Sequence, residues 1–130
     1  MQSGNSYLHI KVGAILCAIY VVLGAFGAHG LENKLSADQL QTYQTGLRYL
    51  IIHALALILT NFTYNYWQTN RRLSNTFFYL GIVLFSFSLL VHATKDLWGI
   101  DINVFAHLAP LGGLCYIVGW VLYTFKVGKK

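Results

Sequence analysis

The chain has 130 residues, of which 56% are apolar and only 10% charged, whereas a soluble domain carries roughly a quarter charged residues. That excludes an ordinary soluble enzyme and leaves room for a single domain over residues 1–130. The net charge of +5 is not a nucleic-acid footprint, because the basic residues flank long charge-free runs instead of forming one polar surface.

Four such runs, 12–31, 49–70, 73–94 and 102–125, hold 20, 22, 22 and 24 residues. A helix needs about 20 apolar residues to cross ~30 Å of hydrocarbon, and only structures that satisfy their own backbone groups cross at all. The expected fold is all-α: a four-transmembrane-helix bundle, with spans at about 11–30, 48–68, 74–94 and 102–125, and a short amphipathic helix in the first outer loop. Lys11, Arg71, Arg72, Lys126, Lys129 and Lys130 then lie on one side. Lys34, Arg48 and Lys95 lie on the other, with all the acids: Glu32, Asp38, Asp96 and Asp101. This bias puts both termini in the cytoplasm. Lys11 followed by an apolar run has some features of a signal peptide, but the bulky Leu16 before Cys17 disfavours lipoprotein cleavage, and the run reads as a retained span.

Along the first span, Ala14, Ala18 and Ala25 form a small-residue stripe ending at His29, which is expected to face the bundle. The run Gly24–Gly30 is glycine-rich enough to loosen or end the helix. Next, Ser36-Ala-Asp-Gln39 fits a capping box, with Leu35 and Leu40 placed for a hydrophobic staple. Leu40, Tyr43 and Leu47 recur at helical spacing, which predicts a short amphipathic helix over 37–45 leading toward the second span near Gly46.

In the second span Tyr49, His53, Thr60 and Tyr64 form a polar stripe that should be sheltered from lipid. Asn61-Phe-Thr63 matches a glycosylation sequon, but at membrane depth the match is by chance. Gly81, Ser88 and His92 share a face of the third span, and Pro110 beside Gly112-Gly113 should kink the fourth. Tyr64, Tyr66, Trp67, Trp98, Trp120 and Tyr123 read as interfacial aromatics. Cys17 and Cys115 differ by about 7 Å in depth and read as packing residues, not a disulfide.

The chemistry-bearing candidates are His29, His53, His92 and His107, one per helix. Counted from the flanking charges, all four fall within about 10 Å of the outer interface. Ionisable groups at such depth are costly and face the interior, so a polar or ligand site is one reading and interhelical hydrogen bonding the other. No metal-ligand motif accompanies them, and no carboxylate occurs within a span.

At Gly24-Ala-Phe-Gly-Ala-His-Gly-Leu31 the chain resembles the YgdD/transmembrane-protein-256-like family of small multi-pass membrane proteins, a domain of unknown function. The resemblance continues through Thr45-Gly46, Tyr49, His53-Ala-Leu-Ala-Leu57, Leu84-Phe85-Ser86, Ser88-Leu89, Pro110-Leu-Gly-Gly113 and Gly119-Trp120. It departs at Leu50, where Gln is usual, and at Phe87, where Gly is usual. The resemblance implies membrane location and fold, marks Gly24, Gly27, Gly30, Gly46, Pro110, Gly112 and Gly113 as packing positions, and supplies no reaction. His29 and His53 lie in matched blocks; His92 and His107 do not.

The expectation is a non-catalytic bacterial inner-membrane protein that packs against or modulates another membrane protein or the envelope, with membrane lipids, a larger membrane complex or a second copy as partners, no nucleic-acid partner and no resident cofactor. The alternative is a haem-, metal- or quinol-binding protein using His29 and His53.

Overall fold

A computed structural model describes residues 7–67, 70, 72–99 and 103–128. Four helices long and apolar enough to cross a membrane account for most of it: α1 (Leu8–Leu31), α2 (Ala37–Trp67), α3 (Arg72–Ala93) and α5 (Val104–Lys126). The four-residue α4 (Lys95–Trp98) lies in the connection after α3 and ends at Gly99, whose φ of 65° is the left-handed conformation that glycine adopts without strain. The bundle has a terminal end, where α1 begins and α5 finishes, and a loop end, where α1 meets α2 and α4 lies.

α2 starts where the capping pattern predicts. The Gln39 amide donates to Ser36 Oγ at 3.2 Å, and the Ser36 amide donates to Gln39 Oε1 at 2.9 Å. Two of the amides that a helix start leaves unpaired are thereby satisfied. The Gln39 side chain also donates to Asp96 Oδ2 at 2.6 Å, tying the two loop-end connections together. The helix expected over 37–45 is not a separate surface element, because Tyr43, Gly46 and Leu47 are buried and α2 runs on for 31 residues. At ~1.5 Å per residue it is about 46 Å long, well beyond a hydrocarbon core. Arg48 therefore does not start the helix; it sits eleven residues along α2.

Packing follows chain order. α1 packs on α2, α2 on α3 and α3 on α5, whereas α2 and α5 are held together mainly by large side chains. Glycines set the close approaches. A methyl group on Gly13 would meet Ala54 O and Ile58, one on Gly46 would meet Ser86 O, and one on Gly112 would strike the Phe85 and Leu84 backbone. The α1 stripe expected to face the bundle does not, since Ala14, Ala18 and Ala25 are exposed. Gly13, Leu16, Gly27 and Leu31 form the buried face, one position round the helix. The larger Leu16 and Leu31 fill volume against α2 while the glycines admit its bulk, a division of labour that an alanine count does not reveal.

Two π turns interrupt the α pattern, at Gly27–Leu31 and Ile82–Phe87. The first realises the loosening expected of the glycine-rich run, and Tyr43 lies over Gly27 with its hydroxyl donating to Leu23 O at 2.7 Å. The second was not legible in the sequence. There the Ser88 hydroxyl is shared between the carbonyls of Leu84 and Phe85, at 2.5 and 2.9 Å, so a side chain serves carbonyls that the widened turn displaces. Asn61, the sequon residue, is fully buried in α2. Cys17 and Cys115 are free and half-buried.

Candidate functional site

The polar stripe on α2 converges with aromatic residues of α3 and α5 around His53, which is 2% exposed. Its imidazole stacks on the Tyr116 ring with centroids 3.4 Å apart and planes 12° from parallel. Phe78 and Trp120 tilt against it at 5.6 and 6.0 Å, and Tyr49 stacks at 6.1 Å from one turn earlier on α2. Glycines make room for these rings: Gly81 lies against Tyr116, and Gly119 against Phe78. The Tyr116 and Ser86 hydroxyls share a hydrogen bond of 2.7 Å.

Both imidazole nitrogens are used internally. The Trp120 indole N–H donates to Nε2 at 3.0 Å, so Nε2 presents its lone pair. Nδ1 lies 2.8 Å from Tyr49 O, which can only accept, so Nδ1 carries the proton. His53 is thus a neutral imidazole in one tautomer, with no lone pair free for a metal or haem iron.

The four histidines do not share a site. His29 and His107 are exposed at the loop end, and His92 is half-buried there with its Nδ1 buried and without a hydrogen-bond partner. His53 is 16 residues into α2, about 24 Å from its start. Gly13 of α1 faces Ala54, and His29 lies 16 residues beyond Gly13, so His29 and His53 are separated by about 24 Å along the bundle. The common depth was counted from Arg48, and the contacts of Gly13 with Ala54 and of His53 with Trp120 remove it. Among the described residues no group of three or more His, Cys, Asp and Glu side chains could hold a metal ion.

Of the family-motif glycines, Gly27, Gly46 and Gly112 sit at helix contacts and Gly113 lies at ordinary distance from Phe85. A methyl group on Gly24 would meet nothing within 4 Å, and the nearest atoms to one on Gly30 belong to Phe26 of its own helix. Pro110 lies inside α5 and is exposed. What sequence reasoning missed is a groove of about 680 Å³ between α2 and α5, with Arg48, Tyr49 and Ile52 on one wall and Pro110, Leu114 and Ile117 on the other. His53, Tyr116 and Trp120 close its depth.

Fold and site together define a small integral membrane protein of four helices whose buried polar groups bond chiefly within the bundle. Residues 23–113 match the family described as Protein of unknown function (DUF423), and the chain belongs to that family. It is 36% identical to the UPF0382 membrane protein YwdK of Bacillus subtilis, over 92% of this chain and 95% of that one. It is also 36% identical to the UPF0382 inner membrane protein YgdD of Escherichia coli, over 84% and 80%. A UPF0382 membrane protein of Haemophilus influenzae is 34% identical over 97% and 96%. No solved structure matches the chain.

Proposed function

We propose that this is a non-catalytic protein of the bacterial inner membrane that acts by holding an acyl chain of a membrane lipid in the α2–α5 groove, and so influences the envelope or a neighbouring membrane protein. The observation that carries the reading is the groove itself. Its volume of about 680 Å³ falls among small-molecule sites, which run from about 300 to 1,000 Å³. A whole partner helix, about 10–12 Å across, would need more space over the same length. The exposed Ile52, Leu114 and Ile117 give it apolar walls. The engaged nitrogens of His53 favour this reading over a haem or metal site, and no resident cofactor is proposed.

The charge distribution supports cytoplasmic termini. By sequence, six basic residues fall in or beside the segments on the side of the termini, against Lys34, Arg48 and Lys95 on the other. Cysteines placed at Ser3 or Lys129, with Cys17 and Cys115 replaced by Ala, should resist impermeant labelling from outside intact cells; strong labelling would reverse the orientation. The groove reading is tested by native mass spectrometry of protein released from mild detergent. Wild type should retain one more lipid than Ile117→Trp, whose larger ring obstructs the groove. Equal lipid retention by two equally folded proteins would contradict it.

A further inference from the structure

Arg48 is the one cation in α2, and its depth is set by two independent contacts. Gly46, two residues earlier, lies against Ser86 O and Leu90 of α3. Ser86 is seven residues short of Ala93, the last residue of that helix, so this level is about 10 Å beneath the loop end of the bundle. On the opposite wall of the groove, Pro110 and Gly113 flank the same level, six to nine residues inside α5. The Arg48 backbone is therefore level with the charge-free runs of α3 and α5, where a cation is costly and calls for a partner.

The described residues offer none. All the chain's carboxylates, Glu32, Asp38, Asp96 and Asp101, fall outside the charge-free runs; the nearest along α2, Asp38, is ten residues away, about 15 Å. Among the described residues none forms a hydrogen bond or ion pair with Arg48, and its side chain is exposed at the groove. A guanidinium on a long stem reaches toward the headgroups while its methylenes stay in the apolar zone. It also presents a donor fork suited to phosphate.

Resting on the groove reading, we infer that Arg48 is the headgroup-recognition residue of an anionic-phospholipid site. The phosphate of a lipid in the loop-end leaflet pairs with the guanidinium, and one acyl chain runs down the groove past Ile52, Leu114 and Ile117 toward Trp120. The axial distance fits, because Trp120 is seven residues beyond Gly113, about 10 Å deeper than the level of Arg48. A carboxylate on a partner's helix is the competing occupant of the same cation.

The test uses Trp120 as reporter, with Trp67 and Trp98 replaced by Phe. The full-length protein is reconstituted in phosphatidylcholine vesicles containing either chain-brominated phosphatidylglycerol or chain-brominated phosphatidylcholine. Quenching of Trp120 by the anionic lipid should be favoured about fivefold, the scale of one basic residue near anionic headgroups. Arg48→Gln should abolish that preference while quenching by both lipids persists, and Arg48→Lys should keep part of it. Equal quenching by both lipids in the wild type would overturn the headgroup assignment and leave the groove reading standing. No quenching of Trp120 by either lipid would overturn both. A preference unaltered by Arg48→Gln, in a protein whose Arg48 is needed to co-purify a second membrane protein, would assign the cation to a partner's carboxylate and overturn the inference.

Discussion

The Trp120 indole lies 3.0 Å from Nε2 of His53, although 67 residues separate them. This bond and the Tyr116 stack bridge α2 to α5 across a gap that their backbones do not close. The histidine with the strongest claim to chemistry is thereby a structural strut, and its engagement leaves neither ring nitrogen free toward the groove.

Trp120→Phe should remove the bond while keeping most of the ring. Polar contacts between membrane helices average about 0.6 kcal/mol and seldom exceed about 1.7. Unfolding by denaturing detergent should therefore shift by no more than that, with the helical content of the folded state unchanged. In the wild type, nitrogen-15 spectra should show His53 protonated at Nδ1 alone. A mixed tautomer population would contradict the assigned bonds.

Two glycines of the family pattern should behave oppositely. Gly112→Ala drives a methyl into the Phe85 and Leu84 backbone, so α3 and α5 must separate, at a cost of about 1–3 kcal/mol. Gly24→Ala meets nothing within 4 Å and should be neutral or stabilising, by up to about 1 kcal/mol from helix propensity. Parallel unfolding curves of the two variants check the contrast.

The legible parts of this fold rest on local chemistry. Ser36 and Gln39 announce a helix start by their spacing alone, and the four apolar runs announce four crossings. Rotation about each axis was not legible, because Ala14, Ala18 and Ala25 satisfy the same small-residue rule as the true contact face of Gly13 and Gly27. Depth failed for a related reason. A charged Arg48 looks like a helix boundary, but α2 begins eleven residues before it, on the strength of its cap and of Tyr43 and Leu47, which are buried by tertiary packing. The groove depends on the relative placement of α2 and α5, which α3 determines, and no local pattern encodes that.

Asn61 is fully buried with neither its amide nitrogen nor its oxygen bonded, while Thr60 beside it donates to Asn75 at 2.8 Å. An unsatisfied buried amide costs about 1–3 kcal/mol. Asn61→Leu, which keeps the branching and removes both polar atoms, should raise stability, less whatever its larger volume costs, whereas Thr60→Val, which breaks an existing bond, should lower it. A destabilised Asn61→Leu would show that the amide is satisfied by a group such as a buried water.

The central claim is that lipid enters between α2 and α5. It is tested most directly by magic-angle-spinning NMR of the protein in lipid bilayers, reading contacts between lipid acyl protons and assigned side chains. Acyl cross-peaks should reach Ile52, Leu114, Ile117 and Trp120, and should be missing at Leu50 and Leu57, which are fully buried. Direct Ile52–Ile117 contacts, with no acyl signal at Trp120, would mean that the helices close on each other and that the groove holds nothing.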